Sequence, residues 1–249
     1  MMRVQPTWTP YCGAAPAPAE WIMRWNFDAA LIVALAAAAL GWYFAAGCSE
    51  PPRRKWFAAA FALVLVLFIS PFCALASALF SVRVIHHVLL TAVVAPLLVQ
   101  SFPRSLTRCP GPLALWTAVQ ALLFWAWHSP ALYASALSSD GVYWLMQLSL
   151  LGSAAGFWAA LRRSAAPAAV AALLATMVQM GLLGALITFS GSALYAPHWA
   201  STAAWGLSAL EDQQLAGLIM WAPSAALYLA AALVIAYRWL GRDAAVAAR

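Results

Sequence analysis

The sequence predicts an all-α, polytopic membrane protein: a bundle of seven transmembrane helices with its N-terminus outside and its C-terminus in the cytoplasm. Of the 249 residues, 65% are hydrophobic and only 8% are charged, whereas soluble domains carry about 25% charged residues. The apolar residues form long uninterrupted runs, which are unlike the alternating strands of an outer-membrane barrel. At about 20 apolar residues per crossing, the chain has room for about six to eight helices and none for a soluble catalytic domain.

Seven apolar segments are long enough to cross a membrane. They are 27–46, 56–80, 84–100, 113–131, 142–161, 167–189 and 215–237. Hydrophilic or Pro- and Gly-containing breaks separate most of them, at 47–55, 101–104, 110–112, 138–141 and 162–164. The second and third segments are expected to form a tight hairpin that turns at Ser81-Val82-Arg83. The chain is therefore divided into an outer tail (1–26), a seven-helix domain (27–240) and a cytoplasmic tail (241–249).

Some residues inside these segments are expected to shape the bundle. Pro71, Pro96 and Pro223 each interrupt the hydrogen-bond ladder of a helix. Gly152 and Gly156 form a G-x-x-x-G face on the fifth helix, which favours close contact with a neighbouring helix.

The orientation follows from the positive residues, because cytoplasmic loops retain Lys and Arg. Ten of the 13 positive residues follow the first, third, fifth and seventh helices: Arg53, Arg54, Lys55, Arg104, Arg108, Arg162, Arg163, Arg238, Arg242 and Arg249. Only Arg3, Arg24 and Arg83 fall on the other side. The basic pI of about 9.5 is thus explained by topology and needs no nucleic-acid partner. We expect a multi-pass protein of a bacterial inner membrane, with the lipid bilayer as its surroundings.

The four cysteines contain no C-x-x-C pair. Cys12 and Cys73 fall on the predicted outer side, and Cys48 and Cys109 on the inner side. The sequence leaves open whether Cys12 and Cys73 form a disulfide. An oxidising compartment would permit it, although a membrane bundle has little need of one.

All four histidines fall at the predicted outer face: His86, His87, His128 and His198. Asp212 lies on the same side, near the start of the seventh helix. One interpretation is ordinary interfacial chemistry, with histidines in the headgroup region and Asp212 complementing the positive end of the helix dipole. The other interpretation is a functional cluster.

One pair of histidines has a geometry suited to a bound ligand. His87 and His128 come from neighbouring antiparallel helices at similar depth, so their imidazoles can converge. His86 points about 100° away from His87 on the same helix. Imidazole nitrogen combined with carboxylate suits copper or zinc. This pattern favours a transition-metal site.

Several other functional classes are excluded or less favoured. The sequence contains no nucleotide-binding loop, no Ser-His-Asp set and no H-E-x-x-H motif. A retinal protein needs a lysine inside the bundle, and the only lysine is Lys55, in a cytoplasmic loop. Two alternatives remain: a b-type haem protein with His87 and His128 as axial ligands, and a metal or small-solute transporter with Pro-broken helices and Gln179 near the midplane.

Several stretches carry a resemblance to a known family. They are 207–223 (LSALEDQQLAGLIMWAP), 127–133 (WHSPALY), 87–90 (HVLL), 95–98 (APLL) and 183–189 (LGALITF) with Leu194-Tyr195. Together they closely resemble the signature of the caa3-type cytochrome c oxidase assembly factor (CtaG-like) family, over about residues 75 to 237.

The resemblance implies an accessory protein, not an enzyme, that acts in the maturation of a haem-copper oxidase. It implies copper handling at the outer face, as a chaperone whose partners are oxidase subunits or a copper carrier protein. Carried over residue by residue, the implied metal ligands are His87, His128 and Asp212.

The sequence departs from the family pattern at two places. Family members often have histidine where this chain has Arg83, and many have histidine where this chain has Met146-Gln147. With this reduced set, His86 and His198 become further candidate ligands.

Overall fold

A computed structural model describes residues 8–46, 51–102 and 110–247 of the protein. These residues form helices and their connections, and no β-strand occurs among them, so the predicted all-helical class is confirmed. Six residues named above lie outside the described residues: Arg3, Arg104, Arg108, Arg249, Cys48 and Cys109.

The described part of the chain contains ten α-helices. They are α1 (Ala29–Ala46), α2 (Pro51–Phe68), α3 (Pro71–Ala78), α4 (Phe80–Leu89), α5 (Ala95–Ser101), α6 (Leu113–Trp127), α7 (Pro130–Ala136), α8 (Asp140–Leu161), α9 (Ala166–Thr188) and α10 (Ala209–Ala247). A π-helical segment, Leu90–Val94, joins α4 to α5. In the bundle, α10 packs along α9 and α4, α8 packs against α6 and α5, and α5 packs against α2.

Four continuous helical stretches are long and apolar enough to cross a membrane: Phe80–Ser101, Asp140–Leu161, Ala166–Thr188 and Ala209–Gly241. A bent pair, Arg53–Phe68 with Pro71–Ala78, makes a fifth if the two count as one span. The helices at Ala29–Ala45 and Leu113–Trp127 are apolar but shorter. Every predicted segment is therefore mainly helical, although not each is a single helix, and several could cross a membrane. The count of seven crossings and the orientation of the termini stay predictions.

The predicted second segment, 56–80, is not one helix. It bends by 50° between α2 and α3. Pro71 begins α3 because proline lacks the N–H that would continue α2. The Ser70 hydroxyl donates to the Val66 carbonyl (2.6 Å) and accepts from the Phe72 N–H (3.2 Å), so it closes one helix and caps the next.

The hairpin turn predicted at Ser81-Val82-Arg83 is wrong. The chain turns at Leu79, which is extended, and α4 already begins at Phe80. Arg83 consequently lies in the first turns of α4, where its side chain is 0% exposed.

Pro96 and Pro223 interrupt helix ladders as predicted. Pro96 follows the π-helical segment that links α4 to α5. Pro223 lies inside α10, and the Ser224 hydroxyl donates to the Ile219 carbonyl (3.0 Å), the acceptor that proline cannot use.

Close helix packing occurs at glycines of α9 and α10. A Cβ added at Gly217 would lie 2.6 Å from the Gly184 carbonyl oxygen and 2.7 Å from the Thr188 nitrogen, so the two backbones leave no room for a side chain. Of the predicted pair on α8, Gly156 is in close contact with the Trp116 ring, whereas a Cβ at Gly152 would meet nothing within 4 Å. The predicted G-x-x-x-G contact is therefore confirmed only at Gly156.

The N-terminal segment is tied to the bundle. A disulfide joins Cys12 to Cys73 of α3, with the two Cα atoms 5.4 Å apart. The neighbouring Tyr11 ring stacks on Tyr143 of α8 at 5.1 Å between ring centres. The segment therefore covers the end of the bundle where α3 and α8 meet.

Candidate metal site

Three of the predicted candidate ligands lie together inside the bundle. The side chains of His86, His87 and His128 are 0%, 1% and 3% exposed. The ring centres of His86 and His87 are 5.9 Å apart, and those of His87 and His128 are 5.6 Å apart. α4 supplies the first two rings, and the C-terminal end of α6 supplies the third.

The ring nitrogens of these histidines are largely unpartnered. Both nitrogens of His86 and of His87 are buried without a hydrogen-bond partner, as is His128 Nε2. His128 Nδ1 lies 2.7 Å from the Phe124 carbonyl, which can only accept, so Nδ1 carries the proton and Nε2 keeps its lone pair. Buried polar atoms normally have partners, which makes this concentration of free nitrogens unusual.

The spacing of His87 and His128 fits a shared ion. With a metal–nitrogen distance of about 2 Å, an ion lies about 3.2 Å from each ring centre, so two rings on one ion are at most about 6.4 Å apart. The observed 5.6 Å corresponds to an angle of about 120° at the ion. His86 is 5.9 Å from His87 and fits the same limit.

The Asp212 side chain also contacts α4, where it forms hydrogen bonds with the start of the helix. Its carboxylate accepts hydrogen bonds from the Phe80 N–H (2.6 Å), the Ser81 N–H (3.2 Å) and the Ser81 hydroxyl. These are N–H groups of the first turn of α4, which have no partner within the helix. Asp212 therefore caps α4 from α10. Its own helix is capped by its neighbour, since the Glu211 carboxylate accepts from the Ser208 N–H (2.7 Å).

Both ring nitrogens of His198 have partners. Nδ1 lies 3.2 Å from the Ala78 carbonyl, so it carries the proton. Nε2 then accepts from the Tyr133 hydroxyl at 2.7 Å. Burial lowers the pKa of His198 to about 3, so the ring is neutral at physiological pH.

The five predicted ligands thus have two different environments. His86, His87 and His128 offer free nitrogens, whereas Asp212 and His198 are engaged in hydrogen bonds. Within the described ranges, no group of three or more His, Cys, Asp or Glu side chains is placed to hold a metal ion. The ligand role of all five residues stays a prediction.

Aromatic side chains missed in the sequence reasoning connect the two groups. The Phe80 ring lies 6.5 Å from His128, 5.9 Å from His198 and 3.8 Å from Tyr195, between ring centres. The Tyr195 hydroxyl donates to the His128 carbonyl at 2.8 Å. Tyr133 and Tyr195 lie in the family-like stretches quoted above, which was the available signal for both.

Arg83 is the other residue that sequence reasoning misplaced. Its Nε donates to the Ala76 carbonyl (3.2 Å) and its Nη1 to the Tyr143 hydroxyl (3.5 Å), whereas Nη2 has no partner. The available signal was the spacing: Arg83 precedes His86 and His87 by three and four residues, which places all three on neighbouring positions of one helix.

A comparison with family models decides the relationship of this chain to known proteins. The model described as cytochrome c oxidase caa3 assembly factor matches residues 44–242. The chain belongs to this family. As a caa3 assembly factor, it contains all four histidines, Arg83 and Asp212 within the matched range, whereas Cys12 lies before that range.

No curated protein and no solved structure matches this caa3 assembly factor. The family assignment agrees with the resemblance found in the sequence and extends it on both sides. It places the chain in cytochrome c oxidase assembly, and the alternatives of a haem protein or a transporter are not favoured.

Proposed function

We propose that this protein assists the delivery or insertion of copper into a haem-copper cytochrome c oxidase at the outer face of a bacterial inner membrane. In this proposal it is a non-catalytic factor, and His87 and His128 hold the copper ion in transit. Oxidase subunits or a copper carrier protein are its partners.

One observation carries the proposal: His87 and His128 have buried, unpartnered nitrogens on rings 5.6 Å apart. Leaving such groups without a partner costs free energy, and a metal ion would satisfy them. His86 is the third ligand in this proposal. Asp212 and His198 hold α4 and its connections in place, which keeps the ligand rings in register.

The haem alternative fits the same geometry less well. Two histidines that bind one haem iron from opposite faces would need ring centres about 6.4 Å apart. The observed separation of 5.6 Å is shorter and suits a bent arrangement.

The decisive experiment is deletion of the gene followed by purification of the oxidase. We expect low oxidase activity and low oxidase copper content with unchanged oxidase transcripts, and partial rescue by added copper. Complementation with His87→Ala or His128→Ala should fail although the protein is present in the membrane. Gln179→Leu is the matched control, because this amide accepts from Trp125 (2.8 Å) and is not one of the proposed ligands.

Two results would contradict the proposal. An oxidase with normal copper content in the deletion strain would remove the role in copper delivery. Full complementation by His128→Ala would show that His87 and His128 are not the ligand pair, although the protein would still act in oxidase assembly.

A further inference from the structure

Arg83 places a positive charge in the wall of the candidate metal site. The side chain is 0% exposed, and its guanidinium carbon lies 5.4 Å from the centre of the Tyr143 ring. Its recorded hydrogen-bond partners are neutral: the Ala76 carbonyl and the Tyr143 hydroxyl. Among the described residues, no carboxylate forms an ion pair with it, and Nη2 has no hydrogen-bond partner.

This charge is close to the proposed ligands. Residues three and four apart on a helix have Cβ atoms about 5–6 Å apart, so His86 and His87 are the helical neighbours of Arg83. The Arg83 charge acts electrostatically on both of these rings.

The ligands do not offset this charge. His86, His87 and His128 bind metals as neutral imidazoles. The carboxylate of Asp212 is directed to the N–H groups of Phe80 and Ser81. A bound ion therefore meets the repulsion of Arg83 without a negatively charged ligand.

The repulsion scales with the charge of the ion. If the guanidinium and the ion are about 7 Å apart, and the effective dielectric constant is about 20, each unit of charge on the ion lowers its affinity about 50-fold. A divalent ion meets this penalty twice and also has the larger cost of transfer into the bundle. Zn²⁺ further requires four ligands in most sites, whereas the proposed site has three imidazoles at most.

We infer that the site selects a monovalent soft metal ion, Cu(I), against Cu²⁺ and Zn²⁺, and that Arg83 is the residue that determines this selectivity. The inference rests on the proposed function, because it assumes that His87 and His128 bind the ion. It adds the oxidation state of the copper and the reason that divalent ions are excluded.

The experiment measures equilibrium binding of Ag⁺ and Zn²⁺ to the full-length protein in detergent. Ag⁺ is an air-stable probe for Cu(I), and Cu(I) itself is measured under anaerobic conditions. All variants carry Cys48→Ser and Cys109→Ser so that free thiols do not bind silver. We expect the unsubstituted site to prefer Ag⁺ over Zn²⁺ by about 50-fold or more.

Substitutions at Arg83 test the cause of this preference. Arg83→Gln removes the charge and should reduce the preference for Ag⁺ by about 50-fold. Arg83→Lys keeps the charge and should keep the preference. Arg24→Gln is the control, since Arg24 donates to the Ala14 carbonyl at the exposed end of the molecule. Thermal unfolding verifies that each variant is folded.

The outcomes separate the inference from the proposed function. Equal affinity for Ag⁺ and Zn²⁺ in the unsubstituted site would overturn charge selection, even if Arg83→Gln fails to fold. An unchanged preference in folded Arg83→Gln would remove Arg83 as its cause. If neither ion binds, or binding persists in His87→Ala and His128→Ala, the proposed ligand pair is itself wrong.

Discussion

At the scale of single residues, His198 gives the protein a defined pH dependence. Its pKa in the folded protein is about 3, because the ring is buried, whereas an unfolded histidine has a pKa of about 6.5. Between these values the unfolded chain binds a proton that the folded protein does not. The contribution of His198 to the free energy of unfolding is therefore constant above about pH 6.5 and falls as the pH is lowered toward 3.

His198→Gln tests this dependence. Glutamine does not titrate, so the variant should lose less stability than the unsubstituted protein when the pH falls from 7.5 to 4.5. Unfolding curves at several pH values provide the measurement. Parallel pH dependence in the two proteins would mean that His198 is protonated in the folded state or accessible to water.

The residues of the candidate site were only partly predictable. All four histidines and Asp212 were singled out from residue type and predicted side. Their hydrogen bonds could not be foreseen, because the partners of Asp212 and His198 come from residues more than 60 positions away in sequence, such as Phe80 for Asp212 and Tyr133 for His198. The sequence predicts Arg83 in a turn because it lies between two apolar segments, whereas its burial in α4 depends on partners from α3 and α8.

At the scale of elements, the start of α4 depends on α10. Removing the Asp212 carboxylate leaves the N–H groups of Phe80 and Ser81 buried without an acceptor. We expect Asp212→Ala to lower the free energy of unfolding by about 2–4 kcal/mol. This exceeds the effect of about 0.3–1 kcal/mol expected for a carboxylate that only complements a helix dipole.

Glu211→Ala is the matched control for this prediction. Glu211 is the adjacent acidic residue and caps only its own exposed helix start. Thermal or denaturant unfolding of both variants in the same detergent measures the difference. Equal, small losses would show that Asp212 is replaceable as a cap.

The contact between α9 and α10 depends on the absence of side chains. A Cβ at Gly217 would lie within 2.7 Å of two backbone atoms of α9, which cannot move aside cheaply. We expect Gly217→Ala to destabilise the protein by about 1–3 kcal/mol through overpacking. Gly152→Ala should be neutral or slightly stabilising, since its Cβ would meet nothing within 4 Å. A neutral Gly217→Ala would contradict the close approach of these helices.

Helix positions were predicted well because long apolar runs determine them. The sequence predicts the break at Ser70–Pro71 but not the turn at Leu79. Pro71 is a sequence signal for the first, whereas the second depends on the carboxylate of Asp212, which is supplied from a distant part of the chain. Apolarity alone also did not reveal that the predicted segment 113–131 forms a helix, α6, of only 15 residues.

At the scale of the whole molecule, topology is the first property to test. The 22 residues of α8, Asp140–Leu161, span about 33 Å, which is enough to cross the hydrocarbon core. Reporter fusions at Asp140, the first residue of this helix, and at Arg163, just beyond its other end, should therefore give opposite locations, with Arg163 in the cytoplasm. The same location for both would mean that α8 does not cross.

The membrane class and the family were predictable because composition and local motifs determine them. The number of crossings was not settled by the same signals. Several apolar helices are bent or short, and their burial depends on neighbours that a hydropathy pattern does not contain.

The disulfide between Cys12 and Cys73 closes the chain into a covalent ring that contains α1 and α2. One cut in the ring, at Arg53, Arg54 or Lys55, leaves two polypeptides that remain a single molecule until a thiol reductant is added. Cleavage at a specific protease site introduced at 53–55, which avoids the trypsin sites Arg104 and Arg108 outside the ring, should then give one full-length band on a non-reducing gel and two fragments on a reducing gel. Two fragments without reductant would mean that the ring is open. In the closed ring, the first helical hairpin stays covalently attached to the histidine-bearing bundle even when its connection is severed.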